Sequence, residues 1–596
     1  MSILFKFIPL NYYQNLVIKI YLLNRQSQLF PFILLLFLSS SLNGQITPIW
    51  SYTVSDSIST FCSPQVADLN QDGILDIVIG GGLEKDSTEQ GILAIDGKNG
   101  QLLWEQFAAY EIYMTPLFQD ITNDGVPDVF IGGRNAQLFA INGQNGSIIW
   151  TFEPQVNPNN PALKWQNFYN AQWLPDQNLD GFKELLISNG GDASASSIQK
   201  NRREGSLMVV SGLDGTILAR DTMPDGKETY HSPIVIDFYN NGQPFVLFGS
   251  GGETVGGKYW KIPIDELFNN NLSNAESLLE DSCKGYIAVP SFADFTGDSI
   301  VDIVIPTLNE KLTLLDGVTN EPIWEVQIPQ HENYMSPTIG QFIGDATPDV
   351  FTLFLKGNWP FYFGCKMLVI DGATGEAVWE GICEVRQFTS PNAIDWDNDG
   401  YDELLFLRNY NSSINSPVDF RSQFKLLDIN DMDSLDLGEP HEGINIFSMP
   451  LIVDIDNNGK LDVIYTINSN TIGWYNPVGY KIFRAELDFT RSNIAWAGYL
   501  GTYQNGQFNA PKSIDITSTN LIDIFPNPTV EWINLKVPFD LNIERLELYN
   551  TLGQLIATKV GNHRQWQLKN ISAGNYIIRV FTTDKQELIG RFVKLN

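Results

Sequence analysis

Four nine-residue loops combine acidic residues at positions 1, 5 and 9 with glycine at position 6, a pattern that could bind calcium. They begin at Asp68, Asp120, Asp176 and Asp395. Carboxylates at alternating positions of a turning loop, with a backbone carbonyl at position 7, supply the hard oxygens that Ca²⁺ prefers. The glycine permits the sharp turn. These loops are therefore predicted calcium sites.

The predicted ligands are the side chains at positions 1, 3, 5 and 9 of these four loops and of two near-copies that begin at Asp294 and Asp454. They are Asp68, Asn70, Asp72, Asp76, Asp120, Thr122, Asp124, Asp128, Asp176, Asn178, Asp180, Glu184, Asp294, Thr296, Asp298, Asp302, Asp395, Asp397, Asp399, Glu403, Asp454, Asp456, Asn458 and Asp462. For one isolated loop, a solvated hairpin with Asx turns is the alternative. Because the pattern repeats in register, we expect about four to six structural Ca²⁺ ions.

Two worn copies of the loop, beginning at Asp237 and Gln341, are expected to hold no ion. Phe245 replaces the closing acid in the first, and Gln341 and Ile343 weaken the second. The loop starts recur every 47 to 61 residues, which is the period of a propeller blade.

Each repeat has the composition of four strands. All repeats but the third have a proline four residues before the loop, and several contain a hairpin with an Asp-Gly or Asn-Gly turn and a closing tryptophan, as in 92–104 and 138–150. Eight such units predict an all-β chain whose main domain is an eight-bladed β-propeller. Ile49–Tyr52 reads as an unpaired fourth strand, and we expect this N-terminal strand to complete the last blade.

The acidic loops resemble the FG-GAP, or VCBS, repeats of integrin-like propellers, and this resemblance implies calcium between the first and second strand of a blade. The hairpins that end in tryptophan are similar to the repeats of pyrroloquinoline-quinone dehydrogenases and their non-enzymatic relatives. Together the two resemblances cover 45–510.

The C-terminal region 520–596 has a different pattern, with short alternating strands that describe a small β-sandwich. On pattern alone it could be a carbohydrate-binding or Ig-like module. Its Pro-Asn-Pro opening at 526–528, the Leu-Tyr-Asn of 548–550 and the Ser-Ala-Gly-Asn-Tyr of 572–576 resemble the type IX secretion sorting domain of Bacteroidota. This resemblance implies export by the type IX machinery, removal of the tail, and release or attachment at the outer cell surface. Residues 511–519 are then the linker.

The N-terminal residues 1–44 read as a secretory signal peptide. Basic residues precede the apolar run Leu29–Leu38, which at ten residues is half of the roughly 20 that a membrane span needs. No other segment has that length, so we expect no transmembrane segment in the mature chain. The formal net charge of −32 excludes nucleic acid as a partner.

The sequence shows no catalytic motif. The four histidines fall in separate repeats or in the tail, and we find no His-Glu-x-x-His or Gly-x-Ser-x-Gly. We therefore expect a binding or adhesion module for glycan or protein ligands rather than an enzyme. The alternative is a polysaccharide-degrading enzyme, because the loops also resemble those of calcium-containing rhamnogalacturonan lyases.

A ligand face is expected opposite the acidic loops, where the long connections carry aromatic residues that can stack on sugars or anchor proteins. The candidates are Trp165, Tyr169, Trp173, Trp359, Phe361 and Tyr362. The alternative is that these rings pack between blades. Elsewhere, Cys365 and Cys383 flank one hairpin turn and could form a disulfide, whereas Cys62 and Cys283 are expected to be free, buried thiols.

Overall fold

Almost every element in the described part of the chain is a β-strand. The computed structural model describes residues 46–596 except 55–56, 85–86, 153–165, 193–197, 240, 398, 414–418, 470–477, 491–493, 503, 509–523, 526–528, 537–541, 551–554, 570, 573, 584–586 and 596. Within these residues the helices are α1 (Ile264–Phe268) and one 3-10 turn (Leu272–Asn274). The all-β class is confirmed. The predicted signal peptide and linker lie outside the described residues.

The first three sheets follow each other along the chain after an N-terminal strand, β1 (Ile46–Val54). Sheet 1 contains β2 (Gln65–Ala67), β3 (Asp76–Gly80), β4 (Thr88–Ile95) and β5 (Leu102–Ala108). Sheet 2 contains β6 (Leu117–Gln119), β7 (Asp128–Gly132), β8 (Leu138–Ile141) and β9 (Ile148–Thr151). Sheet 3 contains β10 (Gln166–Phe168), β11 (Gln172–Leu174), β12 (Glu184–Asp192), β13 (Ser206–Ser211) and β14 (Ile217–Thr222).

Sheets 4 and 5 continue the antiparallel pattern. Sheet 4 contains β15 (Ile234–Ile236), β16 (Phe245–Gly249), β17 (Gly257–Pro263) and β18 (Glu276–Asp281). Sheet 5 has eight strands: β19 (Ser291–Ala293), β20 (Asp302–Thr307), β21 (Asn309–Leu315), β22 (Pro322–Glu332), β23 (Thr338–Gly340), β24 (Asp349–Asn358), β25 (Phe361–Ile370) and β26 (Ala377–Cys383). It joins two four-stranded units through the pairing of β22 with β24.

Sheets 6 and 7 complete the propeller region. Sheet 6 contains β27 (Asn392–Ile394), β28 (Glu403–Asn411), β29 (Phe420–Asp428) and β30 (Asp433–Glu442). Sheet 7 contains β31 (Leu451–Val453), β32 (Lys460–Asn468), β33 (Tyr480–Thr490) and the N-terminal β1, which pairs with β33. A later strand, β34 (Ile494–Trp496), joins the edge of sheet 6 beside β27.

The C-terminal region forms two sheets of its own around a separate hydrophobic core. Its strands are β35 (Ile524–Phe525), β36 (Trp532–Leu535), β37 (Ile543–Asn550), β38 (Leu555–Val560), β39 (Gln565–Gln567), β40 (Gly574–Thr582) and β41 (Glu587–Lys594). The sheet orders are β35-β36-β39 and β38-β37-β40-β41. This arrangement agrees with the small β-sandwich expected from the sequence.

The first strand of each four-stranded unit lies closest to the axis of the propeller. Side chains on these short strands bond to the proline that precedes the neighbouring first strand. Thr338 Oγ1 donates to the carbonyl of Pro391 at 2.9 Å, and Asn392 Nδ2 donates to that of Pro450 at 3.1 Å. Similar bonds connect the two ends of the series, since the Met449 amide donates to Ser63 Oγ at 3.0 Å.

Four tryptophans connect neighbouring units. Trp104 Nε1 donates to the carbonyl of Gly143 at 2.7 Å, and its ring lies against Gly146, whose φ is +75°. A Cβ at position 146 would lie 2.7 Å from that ring, so the turn requires glycine for space as well as for its φ. The same indole bond to a turn glycine is made by Trp50, Trp150 and Trp324.

The chain returns to the propeller axis after its last long strand. We name 494–508 the axial segment. Trp496 pairs with Ala393 of β27, the Gly506 carbonyl accepts from the Phe292 amide at 2.7 Å, and the Gln504 carbonyl accepts from Gln172 Nε2 at 3.0 Å. The segment therefore contacts first strands from sheets 3, 5 and 6. The sequence did not predict it.

The cysteines agree with the prediction in part. Cys365 and Cys383 lie opposite each other in β25 and β26 with a Cα–Cα distance of 5.0 Å and form the predicted disulfide. Cys62 is free and buried, as expected. Cys283 is free but exposed, so the prediction of a buried thiol there was wrong. It lies in the turn after β18, where neighbouring chain does not cover it.

His231 provides a test of stability against pH. Its ring is buried and packs edge-on against Tyr259 with ring centroids 5.3 Å apart. Burial lowers the pKa of His231 to about 3. Between pH 6.5 and this value the unfolded chain binds a proton that the folded chain does not, so the free energy of unfolding falls as the pH falls.

We expect the loss at His231 to reach about 2 kcal/mol between pH 6.5 and pH 5. In a His231→Phe variant this contribution is absent, so its free energy of unfolding should fall less over that range. Urea unfolding of both proteins at several pH values measures the difference. Parallel curves for the two proteins would contradict the prediction.

Candidate functional site

The carboxylates of the acidic loops accept hydrogen bonds from backbone amides of the same loop. At position 1, Asp68 accepts hydrogen bonds from the amides of Asp72 and Gly73 at 3.2 and 3.1 Å. The same two bonds are made by Asp120, Asp454 and the worn Asp237. Position 6 adopts a positive φ, for example +84° at Gly73. The loops at Asp68, Asp120, Asp237 and Asp454 therefore share one conformation.

The closing acid of most loops has a structural role. Asp76 is fully buried and accepts from the Leu69 amide at 2.9 Å and from the Gly97 amide of the hairpin turn at 3.0 Å. Burial raises the pKa of Asp76 to about 6. Equivalent bonds to both loop and turn are made by Asp128, Asp302 and, in a worn loop, Asp349. In these four loops the carboxylate joins the loop to the hairpin of its own sheet.

Two loops bring three carboxylates together. Oxygen atoms of Asp176, Asp180 and Glu184 all lie within 4.8 Å of one another, and so do those of Asp395, Asp397 and Glu403. These are the two loops with glutamate at position 9, whose longer side chain extends further from its strand. Burial, reinforced by nearby carboxylates, raises the pKa of Glu403 to about 9. Bringing acids this close is costly without a cation.

The loop at Asp454 already contains a cation. The guanidinium of Arg484, on β33, lies 2.6 Å from Asp456 and 2.9 Å from Asp462, and it also donates to the Gly97 carbonyl at 2.9 Å. The Arg484 side chain is 2% exposed. Positions 3 and 9 of this loop are therefore neutralised by the protein itself. Calcium binding at Asp454, Asp456, Asn458 and Asp462 stays a prediction, in which an ion would compete with this guanidinium.

The aromatic candidates for a ligand face separate into three groups. Trp173 packs against Phe130, with ring centroids 5.0 Å apart, as the alternative of packing between blades predicted. Phe361 is 70% exposed at the tip of a hairpin. Tyr169, Trp359 and Tyr362 contact other tyrosine rings, namely Tyr113 in the first case and Tyr334 in the other two. Trp165 lies outside the described residues.

An axial ring of side chains occupies the end of the propeller opposite the acidic loops. Each member lies three residues before the proline that precedes a first strand. In the repeat without this proline, the member lies three residues before Gln172. The axial ring consists of Phe61, Tyr113, Tyr169, Tyr230, Ile287, Tyr334, Phe388 and Phe447. Neighbouring rings contact each other, with centroids 5.9 Å apart for Tyr113 and Tyr169 and 4.7 Å apart for Phe388 and Phe447.

Three buried glutamates lie two residues before members of the axial ring, and each is paired with a basic side chain. Glu111 bonds Arg134 at 2.8 Å, Glu228 lies 3.7 Å from Arg202, and Glu332 pairs with Lys284. All three carboxylates are 3% exposed or less. The prolines were recognised from the sequence and these two repeated positions were not, although both lie at fixed distances before the prolines.

At its inner end, the axial ring contacts the axial segment. Asn170, next to Tyr169, donates to the hydroxyl of Tyr499 at 2.8 Å. Tyr499 also packs in the same hydrophobic cluster as Phe61, Tyr334 and Phe447. The axial ring and the axial segment therefore contact each other, and we name the two together the axial cup.

Two family models match the chain. One describes the FAM234A/B β-propeller and matches residues 82–396, and the other describes the secretion system C-terminal sorting domain and matches residues 523–594. Fold and matches together define a β-propeller protein with a secretion-type sorting domain. Because the first match covers more than half of the chain, the chain belongs to the FAM234A/B β-propeller family. The sorting domain indicates secretion or an outer-surface location.

The relatives by sequence are animal proteins. Protein FAM234B from Homo sapiens is 22% identical over 380 residues, which are 58% of this chain and 57% of that protein. Protein FAM234B from Gallus gallus is 23% identical over 362 residues, or 56% and 54%. This chain therefore spans about half the length of the curated relatives that it matches. No helix in the described part of the chain is long and apolar enough to cross a membrane.

Solved structures with a similar fold have different activities. A rhamnogalacturonan lyase from Bacillus licheniformis is 13% identical with a TM-score of 0.46, covering 78% of this chain and 81% of the lyase. A quinohemoprotein alcohol dehydrogenase from Pseudomonas putida is 11% identical with a TM-score of 0.43, covering 75% and 77%. BamB from Moraxella catarrhalis is 11% identical with a TM-score of 0.38, covering 74% and 99%. No activity transfers to this chain at these similarities.

Proposed function

We propose that this protein is a secreted or cell-surface, calcium-stabilised, eight-bladed β-propeller that binds glycan or protein ligands as an adhesion module. The observation that carries the proposal is the axial ring of aromatic side chains, on a scaffold that ends in a sorting domain. The tail 520–596 would engage the type IX machinery during export. Binding is favoured over catalysis because Glu111, Glu228 and Glu332 are each held by a basic side chain.

The eight-bladed closed form is part of this proposal. Sheet 5 counts as two blades because it contains two complete four-stranded units, which brings the seven sheets to eight. Support for closure comes from β1, which pairs with β33, and from the Thr60 amide, which donates to Asn468 Oδ1 at 3.0 Å. Residues far apart in sequence thereby connect sheet 1 with sheet 7.

The calcium sites that we propose are the loops at Asp68, Asp120, Asp176, Asp294 and Asp395. The strongest are those at Asp176 and Asp395, because three carboxylates converge in each. We leave out the loop at Asp454, where Arg484 takes the place of an ion.

Removal of calcium is expected to lower the melting temperature of the protein. An ion at 100 times its dissociation constant stabilises the fold by about 2.7 kcal/mol per independent site, so the two strongest sites together contribute about 5 kcal/mol. Calorimetry in calcium and then in chelator measures the effect. Asp397→Asn should reduce the difference, whereas Asp456→Asn, in the loop that contains Arg484, should leave it unchanged. Equal melting temperatures in both buffers would contradict the calcium proposal.

The second candidate function is an extracellular polysaccharide-degrading enzyme. The many carboxylates of the loops are compatible with this function. The full-length chain should be screened for retention of plant, algal and bacterial polysaccharides, with product formation followed in the same wells. Retention without products supports a binding module. Turnover would replace our proposal with the enzyme class.

A further inference from the structure

We propose that Lys261 and Arg484 are internal cations, which take the place of a metal ion in sheets 4 and 7 and make the acidic loops of these two sheets independent of calcium. The two residues lie in β17 and β33, the third strands of their sheets. This inference rests on the proposed function, because it states which of the acidic loops respond to calcium and which do not.

The two cations occupy the same position of the repeat. Arg484 pairs with Ile464 and Lys261 pairs with Leu247, and both of these partners lie two residues after loop position 9. In the other six repeats the corresponding third-strand residue is apolar: Ala94, Ala140, Val209, Leu314, Val369 and Leu426. A basic residue at this position therefore distinguishes sheets 4 and 7 from the rest of the propeller.

Both side chains reach the hairpin turn of the next sheet. Arg484 donates to the Gly97 carbonyl in sheet 1 at 2.9 Å, and Lys261 Nζ donates to Asn320 Oδ1 in sheet 5 at 3.0 Å. Asn320 in turn donates to Glu276 of β18 at 3.2 Å, which ties the turn to sheet 4 a second time. Each cation thus joins two neighbouring sheets through the side chain itself, without an ion.

The loop at Asp237 contacts its cation although the closing acid is missing. Lys261 is 5% exposed, and its ammonium lies 4.2 Å from the ring centroid of Phe238 and 5.0 Å from that of Phe245. These rings occupy loop positions 2 and 9, so the phenylalanine that replaces the closing acid contacts the cation. An ammonium is attracted to the face of an aromatic ring, most strongly where water is excluded. The replacement of acid by phenylalanine therefore suits a lysine at the third-strand position.

The loop at Asp176 has the opposite composition. Three of its carboxylates converge, and Glu184 Oε2 is buried with no hydrogen-bond partner among the described residues. The third-strand residue of this repeat is Val209, which carries no charge. A calcium ion would supply the missing positive charge and accept these oxygens as ligands. Removal of calcium should therefore loosen this loop, whereas the loops with an internal cation should keep their structure.

Hydrogen exchange of the full-length chain, followed by mass spectrometry in calcium and in chelator, tests this difference because exchange reports local opening. Chelator should speed the exchange of loop 176–184 by about ten-fold, which corresponds to about 1.4 kcal/mol. The loops 237–245 and 454–462 should exchange at the same rate in both buffers. An acceleration of 237–245 as large as that of 176–184 would overturn the assignment.

Substitution of Lys261 tests the internal cation directly. Lys261→Met should speed the exchange of loop 237–245 and of turn 316–321 by about ten-fold in both buffers, because the ammonium and its bond to Asn320 are lost. Lys258→Met, on the same strand, is the matched control. The Lys258 ammonium pairs with Glu280, whose side chain is 61% exposed, so this variant should exchange like the wild type in both segments.

A second variant keeps the test available if Lys261→Met does not fold. Asn320→Gly removes the partner of Lys261 at a position whose φ of +60° suits glycine, and it should also speed the exchange of loop 237–245. Wild-type exchange of this loop in both variants would overturn the role of Lys261. If chelator changed no loop while these variants still exchanged faster, the calcium sites would be wrong and Lys261 would keep its role as an internal cation.

Discussion

Replacing Arg484 with methionine is expected to lower the free energy of unfolding by about 3–5 kcal/mol, because removal of one partner leaves a buried charge uncompensated. Arg484 is 2% exposed and contacts Asp462, which is 1% exposed, and Asp456, which is 24% exposed. Methionine keeps most of the length of the side chain, so the lost charge dominates the effect. Urea unfolding in the presence of chelator measures it.

The Arg484→Met variant should also gain a response to calcium. Without the guanidinium, the loop at Asp454 regains free carboxylates at positions 1, 3 and 9, which is the pattern of the proposed calcium loops. Adding calcium should then restore more stability to the variant than it adds to the wild type. The double variant Arg484→Met with Asp456→Asn is the control and should lose this gain. A variant as stable as the wild type in chelator would show that the ion pairs contribute little.

The repeats explain why much of the fold could be predicted. Glycine at position 6 and proline before the first strand are found where the local backbone conformation requires them. These residues recur with the period of a propeller blade. The pairing of Cys365 with Cys383 followed in the same way from one hairpin. The strand β1 could be assigned because its tryptophan, Trp50, matches the tryptophan in the fourth strand of several repeats.

The features that escaped prediction depend on contacts across long sequence separations. Arg484 lies 28 residues from Asp456 and 387 from Gly97, and no local pattern marks it as the cation of an acidic loop. Phe292 and Gly506, far apart in the sequence, are brought together only in the folded chain. The exposure of Cys283 likewise depends on what covers a turn rather than on the residues in it.

The candidate site shows the same division. The members of the axial ring, and the glutamates two residues before some of them, lie at fixed distances before the prolines. These positions could therefore have been found from the sequence. The contact with the axial segment could not, because Tyr499 reaches Asn170 over 329 residues. A repeated sequence pattern reveals the positions that the repeats contribute to the site. The location of a single segment is known only from the folded structure.

Deletion of the axial segment is expected to prevent the propeller from folding. Trp496, Leu500 and Phe508 are 1%, 1% and 6% exposed, and loss of one large buried side chain costs about 3–5 kcal/mol. Three such losses approach or exceed the total stability of a typical domain, about 5–15 kcal/mol. A chain of residues 46–490 should therefore aggregate or lack a cooperative thermal transition, whereas 46–508 should melt cooperatively. Circular dichroism and size-exclusion chromatography of the pair measure this.

A point variant keeps the role of the axial segment testable if the shorter chain cannot be purified. Trp496→Ala in the full-length chain should lose about 3–5 kcal/mol of stability, because the Trp496 ring packs at the edge of β27 and over Gly501. Phe361→Ala, which truncates a side chain that is 70% exposed, is the matched control and should change stability by about 0.5 kcal/mol or less. If residues 46–490 melted cooperatively at nearly the melting temperature of 46–508, the first strands would pack stably around the axis without this segment. The axial segment would then be an addition to a self-sufficient propeller rather than part of its core.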